Sequence, residues 1–116
     1  MYQNRKIKSI LILFVSVIFI AGFKNAKGPK TPSMPSNIKA LLSKNTCLTC
    51  HSLNERLVGP PFTAIAKKKY TVKQIINLVE NPQPSHWPGY PPMAPLKNVP
   101  KKELEQIANW IISLNK

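Results

Sequence analysis

Two thiols and an imidazole fall within one short run, Cys47-Leu48-Thr49-Cys50-His51. On a helical turn, residues at i, i+3 and i+4 face the same way, so Cys47, Cys50 and His51 project toward one object. A porphyrin edge suits that geometry. Each thiol adds to one vinyl group as a thioether, and the adjacent imidazole reaches the iron from one face of the ring. Other chemistries fit less well. Structural zinc takes four ligands, usually in two pairs, and the chain has no third cysteine and only His86 as a further histidine. A thioredoxin-like dithiol expects a βαβ setting that the sequence lacks. Two cysteines in an oxidising compartment can simply pair, but the histidine directly after them points to one covalently held haem.

The second axial position has three candidates downstream of the first 22 residues: Met93, Met34 and His86. Met93 is the strongest. It lies in Pro91-Pro92-Met93-Ala94-Pro95, where ring constraints fix the backbone and hold a thioether at low entropic cost. Lone methionines are more often core filler, yet one in a proline-rich loop has no helical face to pack into. His86 would give a bis-histidine site, but beside Trp87 and Pro88 it reads as exposed. Met34 falls in a tether and is set aside. With both axial positions filled, iron has no place for oxygen, peroxide or substrate, so the expected work is single-electron transfer and not catalysis.

The elements that hold these groups are helical. Ser36 reads as the N-cap of a helix whose apolar face is Ile38, Leu41 and Leu42, running into the cysteine motif. Gly59-Pro60-Pro61 makes Ser52 to Phe62 a loop. Two short helices are expected next, one over about Phe62 to Lys68 and one from Thr71 as N-cap to Val79, closed by Asn81-Pro82. Residues 82–100 carry seven of the chain's twelve prolines and make a loop, either stiff or disordered. A last helix starts at Pro100, places Glu103 near its positive end, and buries Leu104, Ile107, Ala108, Ile111 and Leu114. No segment alternates with a period of two, and there is no internal repeat. About four short helices around one haem, a mainly α fold, is the expected architecture.

The chain has 116 residues and a formal charge of +13. Its first nine residues carry Arg5, Lys6 and Lys8, followed by the apolar run Ile10 to Phe23, broken only by Ser16 and Gly22. This reads as a signal peptide over 1–22. The run is shorter than the roughly 18 residues of a membrane-crossing helix. The cut after Gly22 is not an Ala-x-Ala site, so an uncleaved membrane anchor is the alternative. Arg5 is followed by lysine, not by a second arginine, which implies crossing in an unfolded state and maturation in the periplasm. Lys24 to Pro35, with three lysines and three prolines, reads as part of a flexible linker over 23–35, and 36–116 as the folded domain. Removing 1–22 leaves a charge of about +10. Export removes nucleic acid as a partner, and no aromatic-interleaved basic motif is present. Acidic protein surfaces or an anionic membrane remain. Lys67, Lys68, Lys69 and Lys73 form one basic cluster and Lys97, Lys101 and Lys102 another. They are either ordinary solvated surface or a ring that steers docking of a monomeric protein to acidic redox partners.

Over roughly Ser36 to Lys116 the sequence resembles the small bacterial class I monohaem cytochromes c. The resemblance rests on Cys47-Leu48-Thr49-Cys50-His51, on Leu57-Val58-Gly59-Pro60-Pro61, on Met93 between prolines, and on a closing helix with Trp110. The first motif is highly specific and the others follow in the expected order. The resemblance implies the cytochrome c fold, with first and last helices packed together near the haem and Trp110 in the core. It implies that the Pro60 carbonyl accepts a hydrogen bond from the ligand imidazole, fixing its orientation. It also implies a haem propionate contact for Trp87, although the interval from Trp87 to Met93 is one residue longer than the family spacing. The activity implied is that of an exported electron carrier between redox proteins of a respiratory or related chain, with His51 and Met93 on the iron.

Overall fold

The structure is a computed structural model that describes Gly28 and residues 32–116. The stretch 1–22 read as a signal peptide and most of the stretch 23–35 read as a linker lie outside the described residues. Four helices follow in order: α1 Ser36–Lys44, α2 Phe62–Lys67, α3 Val72–Glu80 and α4 Lys101–Ser113. Two 3-10 turns, Cys47–Thr49 and Pro84–His86, interrupt the connections, and there is no strand among the described residues. No helix among them is long and apolar enough to cross a membrane.

The longest helix, α4, is the hub and packs against each of the other three. Its spacing explains why. Leu104, Ile107, Ala108 and Ile111 recur at three- and four-residue intervals and are buried, with Trp110 beside them. Burying each large apolar side chain of this kind contributes about 1.5–3 kcal/mol. From α1 come Ile38 and the fully buried Leu42, from α2 Phe62 and Ala66, and from α3 Ile75. The Phe62 ring meets Trp110 edge-on at 5.1 Å, a favoured aromatic arrangement. The stretch read as a linker is already docked at its end. Met34 packs against the core, and the Trp110 indole N–H donates to the Ser33 carbonyl at 3.3 Å.

Several boundaries differ from the sequence reading for local reasons. Ser36 is the first residue of α1 and caps nothing; Pro35 occupies the cap, and its carbonyl accepts the Lys39 N–H at 2.9 Å. Pro100 likewise stands at the cap of α4, with its carbonyl accepting from Glu103 and Leu104 at 2.9 and 3.1 Å. Proline has no N–H to place inside a helix, but its fixed φ suits the residue that leads into one. At α3 the expectation matches. Thr71 accepts from the Gln74 N–H at 3.2 Å while the Gln74 side chain accepts from the Thr71 N–H at 2.8 Å, a reciprocal capping box.

The proline-rich loop is ordered. Its far end is pinned to α3 by the Leu96 N–H donating to the Val79 carbonyl at 3.0 Å. Its middle contains a type II turn. Pro88 and Gly89 are the central residues, Gly89 has φ +87°, and the Tyr90 N–H donates to the Trp87 carbonyl at 3.2 Å. That turn needs a positive φ at its third residue, which glycine adopts without steric cost.

Candidate functional site

The cysteine motif sits on a turn of its own and not on a continuation of α1. The helix ends at Lys44, and Thr46 takes a left-handed φ of 60° that no α-helix can continue. The chain then turns tightly. The Cys47 carbonyl accepts from Cys50 at 3.2 Å and from His51 at 3.0 Å, which brings the two sulfurs and the imidazole to one side. Both thiols are free and half-buried. Burial pushes the Cys47 thiol above its ordinary range against a smaller opposing backbone hydrogen bond.

His51 is held from two directions. Its Nδ1 lies 2.7 Å from the Pro60 carbonyl oxygen. A carbonyl only accepts, so Nδ1 carries the proton between them, and in the neutral ring that leaves the lone pair on Nε2. The backbone of Gly59 comes close enough that a Cβ there would lie 2.5 Å from Cε1 and 2.8 Å from Nδ1. Nothing larger than glycine leaves room for the ring. The loop is tied back by the Gly59 N–H, which donates to the Cys50 carbonyl at 2.7 Å, and by the Phe62 N–H, which donates to Ser52 at 2.9 Å. The Phe62 ring then sits 5.5 Å from the imidazole, linking it to the core.

These groups open onto a cavity of about 350 Å³. Cys47, Cys50, His51 and Pro60 line it from one side, and Trp87 and Met93 from the proline-rich loop. The helices complete it with apolar side chains such as Leu42, Ile76 and Ile107. Thus all six residues singled out in the sequence line one cavity. The two alternative axial candidates do not line it. His86 is exposed, stacks on Tyr70 at 5.7 Å, and shares a 2.8 Å hydrogen bond with the Tyr70 hydroxyl through Nδ1. Met34 packs on the helical core. Among the described residues no three His, Cys, Asp or Glu side chains gather as a zinc site would require.

The donor set fits a haem. It offers two free thiols three residues apart, a neighbouring imidazole with an unprotonated nitrogen, a thioether on another wall, and an apolar lining between them.

Sequence reading missed two further residues. Tyr90 lines the cavity beside Trp87, with the rings edge-on at 6.0 Å. Arg56 stands 4.0 Å above the Tyr90 ring and donates through Nη2 to the Gly89 carbonyl. A Pro-Gly pair before Tyr90 was the available signal for the turn; nothing local signals Arg56, which is 33 residues away from its partner.

Residues 35–115 match the family model for cytochrome c. A cytochrome c-552 of Hydrogenobacter thermophilus is 30% identical over 106 residues, covering 88% of this chain and 95% of that protein. A cytochrome c-551 of Pseudomonas denitrificans is 33% identical over 78 residues, or 64% of this chain and 93% of the relative. The crystal structure of Nitrosomonas europaea cytochrome c552 superposes with a TM-score of 0.61 at 29% identity, over 66% of this chain and 98% of that one. With the fold, the cysteine-histidine turn and these matches in agreement, the chain belongs to the cytochrome c family and is a small class I monohaem electron carrier with one covalently bound haem c.

Proposed function

We propose that the chain is exported and carries single electrons between redox proteins of a respiratory or related chain, with its iron held by His51 and Met93. The observation that carries this reading is the placement of His51 and Met93 on the walls of one apolar cavity, beside the two thiols. A haem bound there supplies an iron that gains and loses one electron. The chain's own groups do the rest. Cys47 and Cys50 hold the macrocycle through thioether bonds. The Pro60 carbonyl keeps the His51 proton on Nδ1, which turns Nε2 toward ligation and raises its basicity. The Met93 thioether favours the reduced state relative to stronger donors, and the prolines around it limit rearrangement between oxidation states. With His51 and Met93 both holding the iron, no position would remain for a substrate, which favours a carrier over an enzyme.

Trp87, half-buried in the cavity wall, is assigned to the haem propionate side. Export is supported by the charged and apolar pattern of residues 1–22, which places the carrier in the periplasm, free or held at the membrane by that segment. It works as a monomer. Its partners present acidic surfaces. The excess of basic residues supports this, and Lys68, whose ammonium lies 4.9 Å from the Trp87 ring centroid, would contribute to such docking. Transfer to an acidic partner should therefore slow as ionic strength rises.

The direct test is visible spectroscopy of the oxidised and reduced holoprotein, alongside Met93→Ala. Thioether ligation gives a weak charge-transfer band at the red end of the ferric spectrum. Its presence in the parent and loss in Met93→Ala supports the assignment, whereas its absence from the parent, with rapid cyanide binding, would favour an open iron site.

A further inference from the structure

Four side chains form a row in which a pair of rings from the cavity wall has a cation at each end. The Arg56 guanidinium lies 4.0 Å over Tyr90, Tyr90 meets Trp87 edge-on at 6.0 Å, and the Lys68 ammonium stands 4.9 Å over Trp87. The row joins three separate segments: the loop after the cysteine motif, the type II turn of the proline-rich loop, and the end of α2. Only Arg56 makes a directional bond as well, donating through Nη2 to the Gly89 carbonyl. Gly89 is exposed, and no neighbour would meet a Cβ there, so its φ of +87° is set by the turn and not by packing. Gly89 stands four residues before Met93 in the chain.

We propose that Arg56 is a positioning residue that latches the Met93-bearing loop to the loop carrying Gly59 and Pro60, and so governs how readily the methionine side of the site opens. The proposal rests on Met93 being the iron's second ligand for its consequence at the metal, but not for the latch itself. Among the described residues, the loop's other long-range ties include the Leu96 to Val79 bond, the exposed Tyr70–His86 pair and the Lys68–Trp87 contact. These three join it to segments on the α2–α3 side. Arg56 alone connects it to the histidine side. Arginine is suited to the task, because its planar fork stacks on a ring while still donating in plane, and a lysine cannot do both.

The test compares matured holoprotein with Arg56→Ala and Arg56→Lys variants by two readouts. The first is the limiting rate at which excess cyanide displaces the native ferric ligand, which reports loop opening. Loss of one exposed cation–ring contact and one charged hydrogen bond should speed it roughly 3- to 30-fold in Arg56→Ala, with partial recovery in Arg56→Lys. The second is amide hydrogen exchange at Tyr90, whose N–H closes the turn. It should accelerate in Arg56→Ala while amides of α4 keep their protection, which a general loss of stability would not allow. Unchanged Tyr90 exchange overturns the latch, whichever ligand the iron takes. Faster exchange together with an unchanged cyanide rate overturns its control of the metal site. If the parent protein lacks the thioether band, the assignment of Met93 fails on its own account, and Tyr90 exchange still decides the latch.

Discussion

At the scale of single residues, the site is governed by close approach. The His51 ring sits between a carbonyl that takes its proton and a glycine with no side chain to obstruct it. Adding one methyl at residue 59 would bring a carbon to 2.5 Å from the ring, well inside contact distance. The ring has nowhere to yield, because turning it breaks the Pro60 bond. Gly59→Ala should therefore destabilise the holoprotein by about 1–3 kcal/mol, the usual cost of overpacking, and weaken or shift the iron's axial bands. Denaturant unfolding of the matured variant checks this; parental stability with an unaltered spectrum would mean that the ring accommodates the methyl. The motif was legible because its three chemical groups lie within one turn, and Gly59-Pro60 because backbone constraint is a local property. Arg56 was not legible. Its partners Gly89 and Tyr90 are brought to it only by the closed fold, and an exposed arginine in a loop looks in sequence like any solvated charge.

Elements were legible where a periodic apolar face and a cap coincide. α3 has both, and its Thr71–Gln74 box agrees with the reading of residue 71 as N-cap. α1 and α4 have the face, but their leading residues are prolines, so residue-type preference placed the cap of α1 on Ser36 and placed Pro100 inside α4. The break at Thr46 carries no sequence signal, since threonine rarely takes a left-handed φ, and it appears only because the motif must turn away from α1. Across that break lies a clamp between α1 and α4. Glu103, at the positive end of α4, accepts from the Asn45 amide at 2.9 Å and from the Lys44 ammonium, and these two hydrogen bonds hold its carboxyl below the usual carboxylate range. The folded state thus favours the ionised form. The clamp contributes fully above the carboxyl's unfolded pKa, about 4, and its contribution is lost as pH falls through the lower folded value. Glu103→Gln should flatten this part of the acid limb while changing neutral stability in the same direction as acid does. Thermal melts of both proteins through that pH window check the sign; superimposable acid limbs would mean that the clamp adds nothing.

At the scale of the whole molecule, the cavity decides what holds the chain together. The periodic faces of α1, α3 and α4 serve two purposes, since Leu42, Ile75, Ile107 and Ile111 belong to the core and also line the cavity of about 350 Å³. Without a haem against them these walls lose their burial, which is worth about 1.5–3 kcal/mol for each large apolar side chain. Small domains have a net stability of only about 5–15 kcal/mol, and a folded part of this size buries a modest core to begin with. Water entering the space would relieve the void but leave the same apolar walls wet. The proline-rich loop has few backbone bonds of its own to resist collapse, and the two thiols offer no cross-link while they serve the haem. The haem-free chain should accordingly be largely unfolded. Expressing the domain without its maturation machinery, or replacing both Cys47 and Cys50 by alanine, and recording far-ultraviolet circular dichroism will test this. Little helical signal and no cooperative melt are the expected outcome. A haem-free protein with the helix content of the holoprotein would show instead that α4 and its three neighbours suffice, and that the cavity is preformed before the haem arrives.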